Sequence, residues 1–409
     1  MSALDSLIPG SLSPLVHGPA AAAGASILAE VLHSPQASVR IPARFRAARS
    51  LNASARRAAR ERVYLAVRSH ALLEALLRAG GWTGEEPGRA LWLQLAVLCG
   101  FPAHEAAESG LARFDATPSQ VLPDEAVARR AMLASLPEWF AAQVDDAFAV
   151  ACGERAPVTV RVNARRESIQ QVIRRLEGFE PRPTTFASHG LFLERGQIQE
   201  SSAWREGLIE VQDEGSQLIA TLVKPPARST VLDYCAGAGG KALAIAAHAP
   251  RRCRVYIHDV REKALDKAQR RAKRAGAALS RGLPEQAHRV LVDAPCTGSG
   301  TLRRDPARRW RLTTDFLHEM VDLQRQVALQ AARRVAPGGR LIYATCSVCP
   351  QENEEQLDFL RSTLDWPLVP VREVLGRALA DRVGDGQVLR VGPESHGTDG
   401  FYAAILRRP

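Results

Sequence analysis

The stretch "VLDYCAGAGGK", residues 231–241, decides the fold. Its apolar start, which runs up to Asp233, predicts a strand, and Gly237-Ala238-Gly239-Gly240 follows at the beginning of a predicted helix. Glycines in that position let backbone amides approach a ligand at a helix N-terminus, in the crevice above the carboxyl ends of parallel strands. The stretch therefore predicts a ligand-binding turn in an open α/β sheet.

Strands and helices alternate from this stretch to near the C-terminus. The segments that follow are "RVYIHD" (254–259), "REKALDKAQRRAKRAG" (261–276), "HRVLVDAPC" (288–296), a long helix near 313–336 and "PGGRLIYATC" (337–346). Such alternation predicts βαβ units and a parallel sheet with helices on both faces. We therefore expect a doubly wound α/β domain over residues 216–409.

The first half of the chain follows a different pattern. Residues 1–40 are rich in Pro, Gly, Ala and Ser, and we expect them to be poorly ordered or extended. Apolar residues then recur at helical spacing, which predicts an all-helical domain over 41–150. "PVTVRV" (157–162) introduces the first strand, and the short pieces after it predict a small α+β unit over 156–215.

The balance of charge indicates a polyanionic partner. The 409 residues carry 54 Lys and Arg against 44 Asp and Glu, a net charge of +10, which is the electrostatic footprint of nucleic-acid binding. Only five of the basic residues are lysine, so the excess of arginine also fits a GC-rich genome. Charge alone leaves both explanations open.

The composition also indicates in which cellular compartment the protein works. There is no run of 18 or more apolar residues, so no membrane span is expected. The N-terminus lacks the basic region of a secretory signal, and the seven cysteines are odd in number and scattered. These features favour reduced thiols and a cytoplasmic location. We expect a monomer that binds no metal.

Two cofactors fit the glycine turn. Gly237, Gly239 and Ala242 match the dinucleotide pattern G-x-G-x-x-[GA], and Asp259 at the end of the next strand is placed to bind ribose hydroxyls of either cofactor. Asp233 separates the two, because a carboxylate ahead of the glycines suits a cationic ligand and sits poorly beside a pyrophosphate. S-adenosylmethionine carries an ammonium and a sulfonium and no phosphate. We therefore favour S-adenosylmethionine over NAD, and a purely structural glycine turn is the remaining alternative.

Cysteines follow two successive strands of the predicted sheet. Asp293 and Cys296 end "HRVLVDAPC" and Cys346 ends "LIYATC", so they should face the cofactor crevice. Cys346 and Cys349 also form a C-x-x-C pair, but no second pair or histidine cluster completes a zinc site. A redox pair of this kind normally opens a helix after an early strand, which this one does not. Four cysteines are expected to be small buried bystanders: Cys99, Cys152, Cys253 and Cys349.

A cysteine beside a methyl donor has a specific chemical use. C5 of cytosine is a poor nucleophile, but a thiolate that adds to C6 makes the ring enamine-like, so that C5 attacks an electrophilic methyl group. Asp293 is placed to contact N3 during the addition. Afterwards the C5 proton must leave and the thiol must be eliminated, which gives a second residue a role. Cys346 precedes a helix expected to start at Pro350, whose N-terminus should lower the pKa of the thiol.

Four motifs resemble those of the RsmB/Sun (NSUN) family of RNA cytosine-5 methyltransferases. They are "VQDEGSQL" (211–218), "DAPCTGSG" (293–300), "YATCSVCPQENEEQ" (343–356) and "SHGTDGFYAAILRR" (395–408), and the similarity covers about residues 157–409. The resemblance implies a class I S-adenosylmethionine-dependent methyltransferase domain with a Rossmann-like fold. It also implies that Cys346 is the nucleophile, that Cys296 acts in product release, and that Lys241 adds positive charge in the active cleft.

The same resemblance implies a set of cofactor-binding positions and an RNA substrate. The cofactor positions are Cys235, Ala236, Gly237, Ala238, Gly239, Gly240, Lys241, Asp259 and Asp293. Region 41–150 resembles the NusB-like RNA-binding domain of the bacterial ribosomal members, and region 156–215 is expected to bind RNA as well. Small-subunit ribosomal RNA is the implied substrate, with tRNA as the alternative.

The chain departs from the family pattern in two places and keeps it in a third. The usual Cys-Ala-Ala-Pro-Gly-Gly-Lys-Thr reads Cys-Ala-Gly-Ala-Gly-Gly-Lys-Ala over 235–242, and residues 277–288 are too few for the usual strand and adenine-binding aspartate. Either the strand is short and apolar contacts hold the adenine, or the cofactor binds more weakly. The residues 352–354 fit the acidic start of a helix.

Two other functions compete with RNA cytosine methylation. A non-catalytic RNA-binding assembly factor that retains the fold is made credible by the short adenine segment. A DNA cytosine methyltransferase would use the Pro-Cys cysteine, here Cys296, as its nucleophile and would leave the Thr-Cys motif at Cys346 without a role. The sequence therefore favours the RNA enzyme.

Overall fold

A computed structural model of the protein describes residues 16–34, 41–194, 198–250 and 252–409. The chain forms two compact units. One holds the described residues up to Arg155 together with Leu302–Thr314, and the other holds Ala156–Thr301 and Asp315–Pro409. None of the helices in the described part of the chain is long and apolar enough to cross a membrane.

The first unit is helical. Its apolar core includes Leu28, Leu73 and Trp92, which are almost fully buried. The helices are α1 Pro19–His33, α2 Ile41–Ala47, α3 Ala53–Arg68, α4 His70–Ala79, α5 Pro87–Leu98, α6 Ala103–Ala107, α7 Pro118–Val121, α8 Ala126–Ala134, α9 Glu138–Ala141 and α10 Asp146–Gly153. The helical character predicted for residues 41–150 is therefore what the structure has.

Helix α1 corrects the prediction that residues 1–40 are poorly ordered or extended. Pro19–His33 is a helix of 15 residues that buries Ile27, Leu28 and Val31 in the core of the unit. Its alanines have the highest helix propensity, and a proline at the first position suits a helix start, so local preference and burial agree. Residues 1–15 and 35–40, which the prediction also covers, lie outside the described residues.

A distant segment completes the helical unit, which the contiguous prediction of 41–150 does not include. Leu302–Thr314 contains a 3₁₀ stretch, Pro306–Arg311, whose Arg309 is buried. The guanidinium donates to the carbonyl of Ala134 at 2.9 Å and to that of Cys152 at 2.7 Å. The cost of burying an arginine is offset by hydrogen bonds, and these two carbonyls together with that of Pro306 accept from three of its five donors.

The second unit begins with a small antiparallel sheet in the order β2-β3-β1-β4. Its strands are β1 Val158–Val162, β2 Pro181–Pro183, β3 Gly190–Leu193 and β4 Ile209–Val211, with helices α11 Ile169–Arg175 and α12 Ser202–Arg205. Val160, Leu191 and Ile209 form part of a separate small core. This is an α+β arrangement, as the sequence predicts for residues 156–215.

The rest of the second unit is a seven-stranded sheet in the order β10-β11-β9-β8-β5-β6-β7. The strands are β5 Thr230–Asp233, β6 Arg254–Ile257, β7 Ser280–Arg281, β8 Ala287–Asp293, β9 Val335–Thr345, β10 Leu389–Val391 and β11 Phe401–Arg407. The helices are α13 Glu214–Val223, α14 Gly240–His248, α15 Glu262–Ala275, α16 Thr314–Ala332, α17 Glu354–Leu364, α18 Arg372–Leu375, α19 Arg377–Ala380 and α20 Pro393–His396. Strands β5 to β9 pair in parallel, and β11 and β10 are antiparallel additions at one edge.

Both faces of this sheet are covered, and the order of the strands reverses between β5 and β8. Leu291 and Ile342 pack on one face, whereas their neighbours Val290 and Leu341 pack on the other. The chain runs outward from β5 through β6 to β7 and then returns to β8. Ligands of open α/β sheets bind at such a switch point, above the carboxyl ends of the strands.

Strand β7 is short, as the first of the two sequence alternatives predicts. Only Ser280 and Arg281 pair with β6. Among the described residues nearby, Val260 is 90% exposed and Leu283 is 39% exposed, while Leu279 is buried. Apolar side chains thus flank the place where the usual aspartate is missing.

Candidate active site

The glycine turn after β5 lies at the switch point. Gly237 and Gly239 have φ of 52° and 78°, values that only glycine adopts without strain. A Cβ on Gly239 would also come within 2.8 Å of Cβ of Ala268 on α15. Glycine is therefore required for the turn to pack against α15, and α14 begins at Gly240 with no side chain capping its first amides.

Asp233, the last residue of β5, is a buried carboxylate. It is 1% exposed, and neither oxygen accepts a hydrogen bond of ordinary geometry, although the nearby Ala242 amide has a small lowering influence on its pKa. Burial, reinforced by the charge of Asp293, raises the pKa of Asp233 to about 7. A buried acid without a donor suits a cationic ligand group that supplies one.

Asp259 follows β6 and is held by the turn. It accepts from the amide of Gly237 at 2.8 Å and from the amide and Nε of Arg261, both at 2.9 Å. Burial opposes ionisation, but the hydrogen bonds from Arg261 and Gly237 lower the pKa of Asp259. The carboxylate is therefore ionised near neutrality and joins the glycine turn to the end of β6.

Lys241 and Asp293 form an ion pair at the base of the crevice. Nζ of Lys241 lies 2.7 Å from a carboxylate oxygen of Asp293 and 5.5 Å from the ring centre of Phe401. Burial by itself would lower the pKa of Lys241, but Asp293, Cys346 and Asp233 raise it above its ordinary value. The ammonium thus stays charged and lies close enough to Cys346 to interact with it.

The two predicted catalytic cysteines are brought together by adjacent strands. Strands β8 and β9 pair in parallel with Asp293 opposite Ala344, so the residues that follow them emerge side by side. The sulfur atoms of Cys296 and Cys346 are 3.4 Å apart. The amide of Gly300 donates to the carbonyl of Cys346 at 3.0 Å and fixes the loop after β8 against the end of β9.

Three thiols of this unit ionise less readily than an ordinary cysteine. The pKa of Cys296 is raised well above the ordinary range by the hydrogen bond of this residue with Cys346 and by its burial. Burial raises the pKa of Cys349 to about 11, and Cys349 is fully buried against Ser299, as expected of a bystander. Burial and the neighbouring carboxylates also raise the pKa of Cys235.

One expectation about Cys346 is wrong. The residues from Pro350 to Glu352 form a single 3₁₀ turn, and the α-helix begins only at Glu354, eight positions after Cys346. Three residues do not generate a helix dipole of useful size. The positive charge near Cys346 comes from the side chain of Lys241 instead. Helix α17 does begin with acidic residues, Glu354 and Glu355, but Glu352, which the prediction also placed in the helix start, lies in the 3₁₀ turn before it.

A buried network around Glu352 supports the two cysteine loops. Glu352 accepts from the amide of Thr297 at 2.8 Å, from the hydroxyl of Thr297 at 2.5 Å and from Nε2 of Gln324 at 2.8 Å. The hydroxyl of Tyr343 donates to the carbonyl of Glu352 at 2.7 Å. Since Thr297 directly follows Cys296, this carboxylate sets the position of that cysteine.

From the sequence, Glu352 is interpreted only as part of an acidic helix start. Its burial depends on contacts with Thr297 and Gln324, which are 55 and 28 positions away. No local signal marks its burial, since Pro350 is exposed and Gln351 is only half-buried. The pairing itself cannot be read from spacing.

All the predicted site residues converge at one edge of the sheet. Those of the cofactor turn, from Cys235 to Lys241, follow β5; Asp259 follows β6; Asp293 and Cys296 follow β8; and Cys346 follows β9. The residues fit S-adenosylmethionine on two structural grounds. The turn requires glycine at Gly237 and Gly239 and leads into a helix whose first amides no side chain caps, and neither oxygen of the buried Asp233 has a hydrogen-bond partner of ordinary geometry.

The chain is similar to known proteins over most of its length. A family model described as 16S rRNA methyltransferase RsmB/F matches residues 220–407. A protein of Mycobacterium tuberculosis whose name places it among the methyltransferases is 33% identical over 325 residues, which cover 71% of this chain and 68% of that protein. Ribosomal RNA small subunit methyltransferase B of Vibrio cholerae is 32% identical over 269 residues, which cover 62% of this chain and 59% of that protein. The match thus spans less than two thirds of the Vibrio relative.

Two solved structures share the fold. The crystal structure of PH0851 superposes with a TM-score of 0.80 at 25% identity, and the alignment covers 96% of this chain and 99% of that one. NSun6 from Pyrococcus horikoshii, crystallised with SFG, gives a TM-score of 0.55 at 19% identity, over 70% of this chain and 98% of that one. The second likeness concerns the fold alone. The predicted class I methyltransferase architecture is confirmed.

Proposed function

The chain belongs to the RsmB/F family of 16S rRNA methyltransferases, and we propose that it methylates C5 of a cytidine in RNA through a covalent adduct on Cys346. S-adenosylmethionine is the family's cofactor. The observation that carries the proposal is the meeting of two cysteines, 3.4 Å apart, with the Lys241–Asp293 ion pair at the switch point of the sheet. Small-subunit ribosomal RNA is the proposed substrate class, because the relatives' names refer to it.

The chain's own residues divide the work of binding the cofactor. Asp233 would receive its cationic amino-acid end, the amides of the turn from Gly237 to Gly240 would lie beside it, and Asp259 would take the ribose hydroxyls. When bound, the cofactor supplies an electrophilic methyl group. Apolar contacts near Leu279 and Leu283 would hold the adenine in place of the usual aspartate.

Cys346 starts the reaction. Its sulfur adds to C6 of the cytosine as the electrons of the C5–C6 double bond shift toward C5, and the proton given up by the Cys346 thiol passes to N3, so that the adduct is neutral. Asp293 contacts N3, and Lys241 holds Asp293 in place and stabilises the thiolate by its charge. The carbanion character that develops at C5 makes this atom the acceptor of the methyl group.

Cys296 acts after methylation. Because its pKa is raised, Cys296 keeps its proton near neutrality and does not compete with Cys346 as a nucleophile. C5 must lose its proton to a base so that the electron pair re-forms the C5–C6 bond and expels the sulfur of Cys346. We assign to Cys296 the protonation of the departing sulfur of Cys346, which lies within proton-transfer distance of its own, while a base from the solvent takes the C5 proton.

Regions 41–150 and 156–215 are proposed to bind the RNA. The net charge of +10 supports this assignment. The alternative is a non-catalytic assembly factor, which the short β7 favours if it weakens cofactor binding. A tRNA substrate is the second alternative.

Two assays test the proposal. Calorimetry with S-adenosylmethionine distinguishes an enzyme from an assembly factor, since the proposal predicts binding and the assembly factor predicts none. Bisulfite sequencing of RNA from a deletion strain should show one or more unmethylated cytidines in small-subunit ribosomal RNA. Unchanged ribosomal RNA together with a lost site in tRNA would contradict the substrate assignment.

A further inference from the structure

We infer that Arg271 is a positioning residue for the cofactor turn, and that Glu210 of the small four-stranded sheet anchors it. Nη1 of Arg271, on α15, donates to the carbonyl of Ala238 at 2.7 Å. Its Nε and Nη2 lie 3.1 Å and 3.0 Å from one carboxylate oxygen of Glu210. Arg271 thus joins the middle of the glycine turn to strand β4.

The glycine turn needs a contact with a residue outside it to hold its conformation. Three of its four central residues are glycine, which loses more backbone entropy on ordering than any other residue, and no proline stiffens it. Gly237 and Gly239 both adopt positive φ on either side of Ala238. A hydrogen bond from a charged donor to the carbonyl between them restrains the segment whose amides meet the cofactor.

Glu210 is a firm anchor. Its side chain is 1% exposed, and Arg274 also pairs with it, 2.5 Å from the other carboxylate oxygen. Arg274 in turn stacks on Trp204 with its guanidinium carbon 3.6 Å from the ring centre. A buried carboxylate held by two arginines has little freedom, so it fixes where Arg271 can reach.

Arg274 provides a matched control because it shares the anchor and lacks the contact with the turn. Both arginines lie on α15 and have similar side-chain exposure, 22% for Arg271 and 21% for Arg274. Removal of either one takes a cation from Glu210. Only the removal of Arg271 also takes away the hydrogen-bond donor of the Ala238 carbonyl.

The inference rests on the family's cofactor and is independent of the cytosine chemistry. Calorimetry of the full chain without RNA should show that Arg271→Gln raises the Kd for S-adenosylmethionine about tenfold, whereas Arg274→Gln changes it less than about twofold. Arg271→Lys keeps a charge beside Glu210 but lacks the second nitrogen for Ala238, and it should weaken binding in the same way. Activity at saturating cofactor should be unchanged in Arg274→Gln.

Hydrogen exchange on the protein without cofactor supplies a second readout. The amides of 236–240 should exchange faster in Arg271→Gln and Arg271→Lys than in Arg274→Gln. Equal Kd values for the variants of the two arginines, or unchanged exchange in the turn, would overturn the inference. An absence of cofactor binding by the unaltered protein would instead contradict the proposed function.

Discussion

Replacement of Asp233 by asparagine should change how the stability of the protein depends on pH. Burial and the charge of Asp293 raise the pKa of Asp233 from 3.8 to about 7 in the folded protein. Because the folded state holds the proton more tightly than the unfolded chain, the protonated acid stabilises the fold at low pH. This contribution is complete below the unfolded pKa and is lost as the pH rises through about 7.

The size of the effect follows from the shift. A change of about three pKa units corresponds to about 4 kcal/mol in total, of which about 2–3 kcal/mol falls between pH 5 and pH 8. Asparagine has a similar shape and does not ionise. The free energy of unfolding of Asp233→Asn, relative to that of the unaltered protein, should therefore increase by about 2–3 kcal/mol over this interval.

Urea denaturation of both proteins at several pH values between 5 and 8 measures this difference. The control is Asp266→Asn, because Asp266 is exposed and its hydrogen bond with Arg281 lowers the pKa, which keeps its titration below the interval. The free energy of unfolding of the control, plotted against pH, should run parallel to that of the unaltered protein. A parallel curve for Asp233→Asn as well would refute the reasoning about the buried acid.

Three further substitutions test other parts of the structure. Gly300→Ala should destabilise the protein by about 2 kcal/mol or more in urea denaturation, because the new Cβ would overlap the carbonyl of Gly400. Glu352→Ala should cost about 3 kcal/mol and slow methylation, since it removes the acceptor that holds Thr297 beside the cysteines; unchanged turnover would contradict that role. Arg309→Met should lower the stability of the helical unit by about 2 kcal/mol, seen as faster limited proteolysis before residue 155, because three buried hydrogen bonds are lost.

Much of the methyltransferase unit can be predicted because its signals are local. An apolar strand that ends in Asp233, a glycine turn and a helix lie within about a dozen residues, and the same pattern of strand ends places Cys296 and Cys346. Parallel pairing then converts their positions in sequence into proximity, without any contact having to be known beforehand.

The features that sequence reasoning missed depend on contacts between distant residues. Helix α1 is not predicted from the sequence because Ala, Gly and Pro are also frequent in unstructured segments. Only its buried face distinguishes it from such a segment. The contact of Arg271 with Ala238 spans 33 positions, and that of Arg309 with Ala134 spans 175. From sequence alone, an arginine in a basic helix is interpreted as a solvated surface charge, because its hydrogen-bond partner is known only from the structure.

The most direct test of the account is the fate of RNA mixed with cysteine variants and S-adenosylmethionine. Cys296→Ala should accumulate a protein–RNA complex that survives denaturing electrophoresis, with the RNA attached at Cys346 by peptide mass spectrometry. Cys346→Ala should give neither this complex nor 5-methylcytidine. Ordinary turnover by Cys296→Ala without an adduct, or an adduct attached to Cys296 in Cys346→Ala, would contradict the assignment of the two cysteines.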